Sequence, residues 1–197
     1  SITRRAMQDL KKNLGKLPEE LQEDAQMILE SEREILSRLR RITEKKINAV
    51  KIRIHGDYHL AQVLYTGNDF MIIDFEGEPV RPLTERRIKR SAFRDIAGMI
   101  RSFHYAVHTA LARHTSIRAE DIAVLEPWTE PWFLCVSRTF WNSYLESVGR
   151  APFVPTNAEE LDILLQCFLL EKAVYELGYE LNHRPEWVSI PMSGIKQ

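Results

Sequence analysis

The chain has 197 residues, enough to bury one sizeable core. Its 27 Lys and Arg against 28 Asp and Glu leave a net charge of -1, which excludes a broad electrostatic pull on nucleic acid or membrane. The N-terminus is charged, no segment approaches membrane-spanning length, and the two cysteines form no CxxC pair, so a cytoplasmic protein with reduced, buried Cys135 and Cys167 is expected.

In chain order, Ile2 to Leu14 reads as an amphipathic helix stopped by Gly15 and Pro18. From Pro18 one long helix is expected, with Leu21, Ala25, Ile28, Ile35, Leu39 and Ile42 on one face. Glu19, Glu20, Glu23 and Asp24 near its start, and Arg38, Arg40 and Arg41 near its end, suit the helix dipole. Val50, Ile52 and Ile54 then alternate with polar residues, the pattern of a half-buried strand. Gln62–Tyr65 and Phe70–Ile73 read as two further strands around the turn Thr66-Gly67-Asn68-Asp69. This hairpin brings Gln62 and Asp74 to face each other near its open end, with Asp57 in the loop just before.

The octapeptide His55-Gly56-Asp57-Tyr58-His59-Leu60-Ala61-Gln62 precedes Asp74-Phe75-Glu76 by a fixed spacing. Two carboxylates at opposite ends of a short hairpin fit phosphoryl transfer: one serves the acceptor hydroxyl, the other the magnesium that holds nucleotide phosphates. The competing chemistry is a metal hydrolase, with His55, Asp57, His59 and Asp74 on zinc or iron. Against it, ligands at i, i+2 and i+4 of an extended loop alternate sides, and no further histidine is locally placed.

Glu76 to Leu83 is a rigid loop with two prolines, and Glu85–Arg90 a charged, solvated turn, with phosphate or partner binding as the alternative. Ser91 caps a helix whose core stripe is Phe93, Ile96, Ala97, Ile100, Phe103, Val107 and Leu111. Asp95 in its first turn is a candidate brace for the backbone of the His55–Asp57 loop, or simply stabilises the dipole. Pro131 to Ser147 carries Trp132, Phe133, Val136, Phe140 and Tyr144 as a packed aromatic face. Ala151–Pro155 is a linker and Asn157 a cap for a last helix from Ala158 to about Asn182. There the stripe Leu161, Leu165, Phe168 continues as Lys172, Tyr175 and Tyr179, while Leu170, Val174, Leu177 and Leu181 cover another face. A helix apolar on two faces is buried, so Lys172 is expected to point inward, with Glu176 and Glu180 one and two turns on. That makes it a structural ion pair or the wall of a polar pocket.

His55 to Gln62 resembles the catalytic loop of the aminoglycoside-phosphotransferase-like kinases. The longer match resembles the maltokinases, often fused behind trehalose synthase. It comprises His-Gly-Asp-Tyr-His-Leu, Ile-Asp-Phe-Glu-Gly-Glu-Pro, Arg-Asp-Ile-Ala-Gly-Met-Ile-Arg-Ser-Phe and the terminal Glu-Lys-Ala-Val-Tyr-Glu-Leu-Gly-Tyr-Glu with Arg184-Pro185-Glu186-Trp187. The resemblance covers residue 50 to the end. It implies an α+β, mainly helical fold: a protein-kinase-like C-lobe with a small hairpin at the active cleft. It further implies Asp57 as catalytic base with His55 and His59 beside it. Gln62 and Asp74 would be ligands of magnesium or manganese and of the nucleotide, and Lys172, Tyr175, Glu176, Tyr179 and Glu76 would bind the sugar. ATP and maltose are the implied substrates.

Such kinases also need an N-terminal lobe with a phosphate-gripping lysine and a covering loop. The eight glycines here are scattered, strand content is small, and Ser1 is not a natural start. The expectation is therefore a single domain, residues 1–197: a helical lead-in (1–48), catalytic loop and hairpin (49–75) and helical bundle (91–197). The N-lobe would be missing, a trehalose synthase domain covalently attached to the parent, and the fragment inactive alone. A different small-molecule kinase, acting on an aminoglycoside, choline or another sugar, and a non-catalytic scaffold for trehalose synthase are the alternatives.

Overall fold

A computed structural model describes residues 2–78, 82–113 and 117–196. Within these the chain is mainly helical, with one two-stranded antiparallel sheet, as the α+β reading expects. The chain divides into two compact units: Ser1–Ile47 with Glu159–Gln197, and Asn48–Ala158.

The first unit contains α1 (Ile2–Asn13), α2 (Glu19–Glu30) and α3 (Glu32–Glu44), then nearly all of α8 (Ala158–His183) and α9 (Ser189–Lys196). The single long helix expected from Pro18 is interrupted at Ser31, although Ser31 N–H still reaches the Met27 carbonyl and Ile35 N–H the Ser31 carbonyl. The hydrogen-bond ladder thus runs through the break nearly whole. The expected apolar face is retained: Ala25, Ile28 and Ile35 are buried with Leu10, Val174, Leu177 and Leu181. Each such buried aliphatic side chain contributes about 1.5–3 kcal/mol.

Two sequence expectations change in α8. Leu170, Val174, Leu177 and Leu181 are buried, but Lys172 is only half-buried, with its Nζ 5.2 Å from the centroid of the Tyr175 ring. Its long stem lets the ammonium reach the helix surface. The buried charge is instead Glu180, 1% exposed, held by bidentate bonds from Arg184 at 2.8 and 2.7 Å. Cys167 is buried and donates to the Arg38 carbonyl at 3.2 Å.

The second unit contains β1 (Val63–Tyr65), β2 (Phe70–Ile72), α4 (Leu83–Arg86), α5 (Phe93–Arg113), α6 (Ala119–Leu125) and α7 (Thr129–Val148). Ser91 Oγ accepts the Phe93 amide, as its capping role requires, and Phe93, Ile96, Ala97, Ile100 and Phe103 are buried. The expected strand around Ile52 contracts to one antiparallel bridge, Ile52 with Arg90, closed by bonds of 2.9 and 2.8 Å. Val50 N–H goes instead to the Pro152 carbonyl, and residues 79–81 of the two-proline loop lie outside the described residues. In α7 the inward row is Phe133, Val136, Phe140 and Tyr144, while Trp132 is 45% exposed and Cys135 is exposed. Both lie off that row at helical spacing, so neither belongs to the packed face or to the buried thiols expected of them. Helix α6, with its apolar Ile122, Val124 and Leu125 all exposed, has no core stripe that periodicity would detect.

Candidate active site

The hairpin register pairs Val63 with Ile72, Leu64 with Met71 and Tyr65 with Phe70. One further bond, from Ile73 N–H to the Gln62 carbonyl at 3.0 Å, zips the open end. Gln62 therefore opposes Ile73, one residue short of the expected facing of Gln62 and Asp74, because Gln62 closes a 3-10 turn (Leu60–Gln62) and is not part of β1.

His55 ties the two acidic segments together. It is 7% exposed, between the rings of Tyr58 and Phe75 at centroid distances of 5.6 and 5.0 Å. Asp57 N–H donates to its Nδ1 at 3.3 Å, which leaves the ring proton on Nε2; Nε2 donates to the Ile73 carbonyl at 2.6 Å. The ring thus joins the residue carrying one acid to the neighbour of the other. Both ring nitrogens of His55, grouped with the catalytic side chains in the sequence reading, are thus committed to backbone. His59 does face Asp57, Nε2 to Oδ2 3.7 Å.

Asp74 has φ +61°, the only non-glycine residue with positive φ among those described. A left-handed non-glycine costs on the order of 1–3 kcal/mol and persists where the surrounding structure over-determines it. It turns the chain straight after β2 and leaves the carboxylate exposed. Gly56 (φ +87°) turns the other segment, and a Cβ there would meet the Gly77 Cα at 3.4 Å. The loop after Asp74 therefore packs on the loop that carries Asp57. Glu76 is exposed, and its carbonyl accepts Arg86 Nη1 at 3.3 Å.

Asp95 is the brace. Its Oδ2 accepts His55 N–H at 2.7 Å and its Oδ1 accepts Gly56 N–H at 2.9 Å. Burial pushes its carboxyl above the usual range, while the two backbone bonds pull against that. Burial, with the nearby Asp95 charge, also raises the Tyr58 and Tyr144 hydroxyls, so both stay protonated. Behind the loop lies an apolar cavity of about 370 Å³, bounded by Ile52, His55, Tyr58, Phe75, Asp95 and Tyr144.

The candidate sugar residues Lys172, Tyr175, Glu176 and Tyr179 belong to the first unit, and Asp57, Gln62, Asp74 and Glu76 to the second. Tyr179 is 40% exposed, stacked on His183 and under the Arg184 guanidinium. Among the described residues no group of three or more His, Cys, Asp or Glu is placed to hold a metal, and His55 has no free nitrogen for the hydrolase arrangement. No helix of the described residues is long and apolar enough to cross a membrane. Sequence reasoning missed Ser102, whose Oγ accepts Leu60 N–H at 3.2 Å. Its spacing of seven from Asp95 on one helix is the signal that would have found it.

No protein-family model matches the chain. It is similar to two glucosamine kinases. The one from Streptacidiphilus jiangxiensis is 27% identical over 142 residues, 71% of this chain and 30% of that protein. The one from Mycolicibacterium smegmatis is 28% identical over 142 residues, 72% of this chain and 33% of that protein. Among solved structures, a glucosamine kinase crystal form superposes with a TM-score of 0.73 at 21% identity, covering 99% of this chain and 45% of that one. A glucosamine kinase in complex with glucosamine, ADP and inorganic phosphate gives a TM-score of 0.72 at 21% identity over 98% of this chain and 45% of that one. The fold is therefore kinase-like, and the matches span less than half the length of the relatives.

Proposed function

We propose that this chain supplies the acceptor and metal residues of an ATP-dependent kinase that phosphorylates a sugar hydroxyl. The observation that carries the reading is the pair Asp57 and Asp74, each on a turned backbone and joined through one buried histidine. In this reading Asp57 accepts or orients the proton of the attacking hydroxyl, with His59 facing it. Asp74 and Gln62 offer only oxygen donors, which suits magnesium or manganese and does not suit zinc. When bound, such an ion would neutralise charge on the transferring phosphate. The strained Asp74 backbone holds its carboxylate ready for that ion.

Lys172, Tyr175, Glu176 and Tyr179, with Glu76, are proposed to contact the sugar: carboxylate and ammonium groups bond hydroxyls, and tyrosine rings pack on sugar faces. The similarity to glucosamine kinases supports an amino sugar as acceptor. The resemblance of the terminal helix to the maltokinases supports maltose, with trehalose synthase as a covalent neighbour. The deciding experiment offers glucosamine and maltose, each with ATP and magnesium, to the full natural polypeptide. Sugar phosphate from one of them supports the reading, and ATP turnover with neither removes it.

A further inference from the structure

The face of α5 that meets the catalytic loop is built from three residues at i, i+3 and i+7: Asp95, Gly98 and Ser102. All three act on consecutive parts of one short backbone. Asp95 takes the amides of His55 and Gly56. At Gly98 an added Cβ would lie 2.6 Å from the Tyr58 carbonyl oxygen, closer than real Cβ contacts come, and the obstructing atom is backbone. Ser102 Oγ takes the Leu60 amide at 3.2 Å and donates its own proton to the Met99 carbonyl at 2.7 Å, so the hydroxyl's lone pair is aimed at the loop. The helix thus touches residues 55, 56, 58 and 60, on both sides of Asp57.

We infer that Gly98 and Ser102 are positioning residues: with Asp95 they make α5 a rigid template that sets where the Asp57 carboxylate stands. Gly98 fixes the distance between helix and loop, and Ser102 fixes the loop's exit toward Gln62. Neither touches a substrate in this account. A serine in a helix usually satisfies itself by bonding back to its own helix. Ser102 does that and accepts a bond from outside as well, a double use that plain helix packing does not require. The inference rests on the kinase reading for its consequence in turnover, but not for its geometry.

The test separates the two. In the isotope-labelled chain, Ser102→Ala should speed hydrogen exchange of the Leu60 amide about tenfold, the effect of losing one ordinary hydrogen bond. Ser102→Thr, which keeps the hydroxyl, should restore protection. Thr109→Ala, further along the same helix, should leave that amide unchanged. Gly98→Ala should shift the Tyr58 and His59 amide resonances; if it fails to fold, the Ser102 pair carries the test alone. In the full natural polypeptide, Ser102→Ala should lower kcat with little change in KM for ATP or sugar. Unchanged Leu60 exchange in Ser102→Ala, or no rescue by Ser102→Thr, overturns the template. A changed Leu60 amide in a polypeptide with no sugar-kinase activity leaves the template standing and removes the kinase reading instead.

Discussion

His55 Nε2 lies 2.6 Å from the Ile73 carbonyl, a bond that spans eighteen residues of sequence and closes the Asp57 loop onto the hairpin. Because the same ring accepts the Asp57 amide, one side chain sets the separation of the two acidic segments. Changing His55 to Phe keeps the ring contacts to Tyr58 and Phe75 and removes both bonds. The expected cost is about 1–3 kcal/mol, because a half-buried amide and a half-buried carbonyl each lose a hydrogen bond. Urea unfolding of the two proteins measures it, and an unchanged midpoint contradicts the role.

Glu180 is a buried carboxylate whose two oxygens are both held by Arg184. Arg184→Ala removes both of those bonds. Since Arg184 is 43% exposed, solvent can take up part of the loss, and the expected destabilisation is about 2 kcal/mol, below that of a fully buried pair. Glu180→Gln in the same background should recover part of it. A double-mutant cycle reads the coupling.

His104 is 1% exposed, and burial, aided by the charges of Arg101 and His108, lowers its pKa to about 3. In the unfolded chain it takes a proton near pH 6.5. Below pH 6.5 the unfolded state therefore binds more protons than the folded one, and stability falls with pH across the window from about 6.5 to 3. Above pH 6.5 the contribution is fully present. Between pH 7 and pH 5 the loss should be about 2 kcal/mol, and His104→Leu should remove that slope. Unfolding midpoints at the two pH values, compared between parent and variant, check it.

The apolar periodicities carry the helices well, because a 3.6-residue stripe is written directly in the side chains. α1, α7 and α8 begin and end within two residues of their expected limits. The loop motif and Asp95 were legible for a related reason: acids and glycines at fixed spacing leave few structural readings. Three things were hidden. The break at Ser31 needs no proline or glycine, so periodicity runs straight through it. The inward direction of Glu180 and the outward reach of Lys172 depend on where Arg184 and Tyr175 stand, which is a matter of packing. The double bonding of His55 depends on where the Ile73 carbonyl and the Asp57 amide stand, which periodicity does not give.

Lys172→Met in the full natural polypeptide tests the sugar-binding proposal. Lys172 is half-buried with its ammonium over the Tyr175 ring, so thermal stability should change by less than about 1 kcal/mol. The Michaelis constant for the sugar should rise several-fold while that for ATP stays constant. Equal changes in both constants, or none, would assign Lys172 to the surface of α8.

The most direct measurement is phosphoryl transfer by the full natural polypeptide before and after Asp57→Asn, with circular dichroism to confirm that the fold is kept. The account predicts a fall of roughly 10²–10⁴-fold in turnover with an unchanged spectrum, the loss expected when a positioned acid–base group is removed. Turnover close to that of the parent would contradict it.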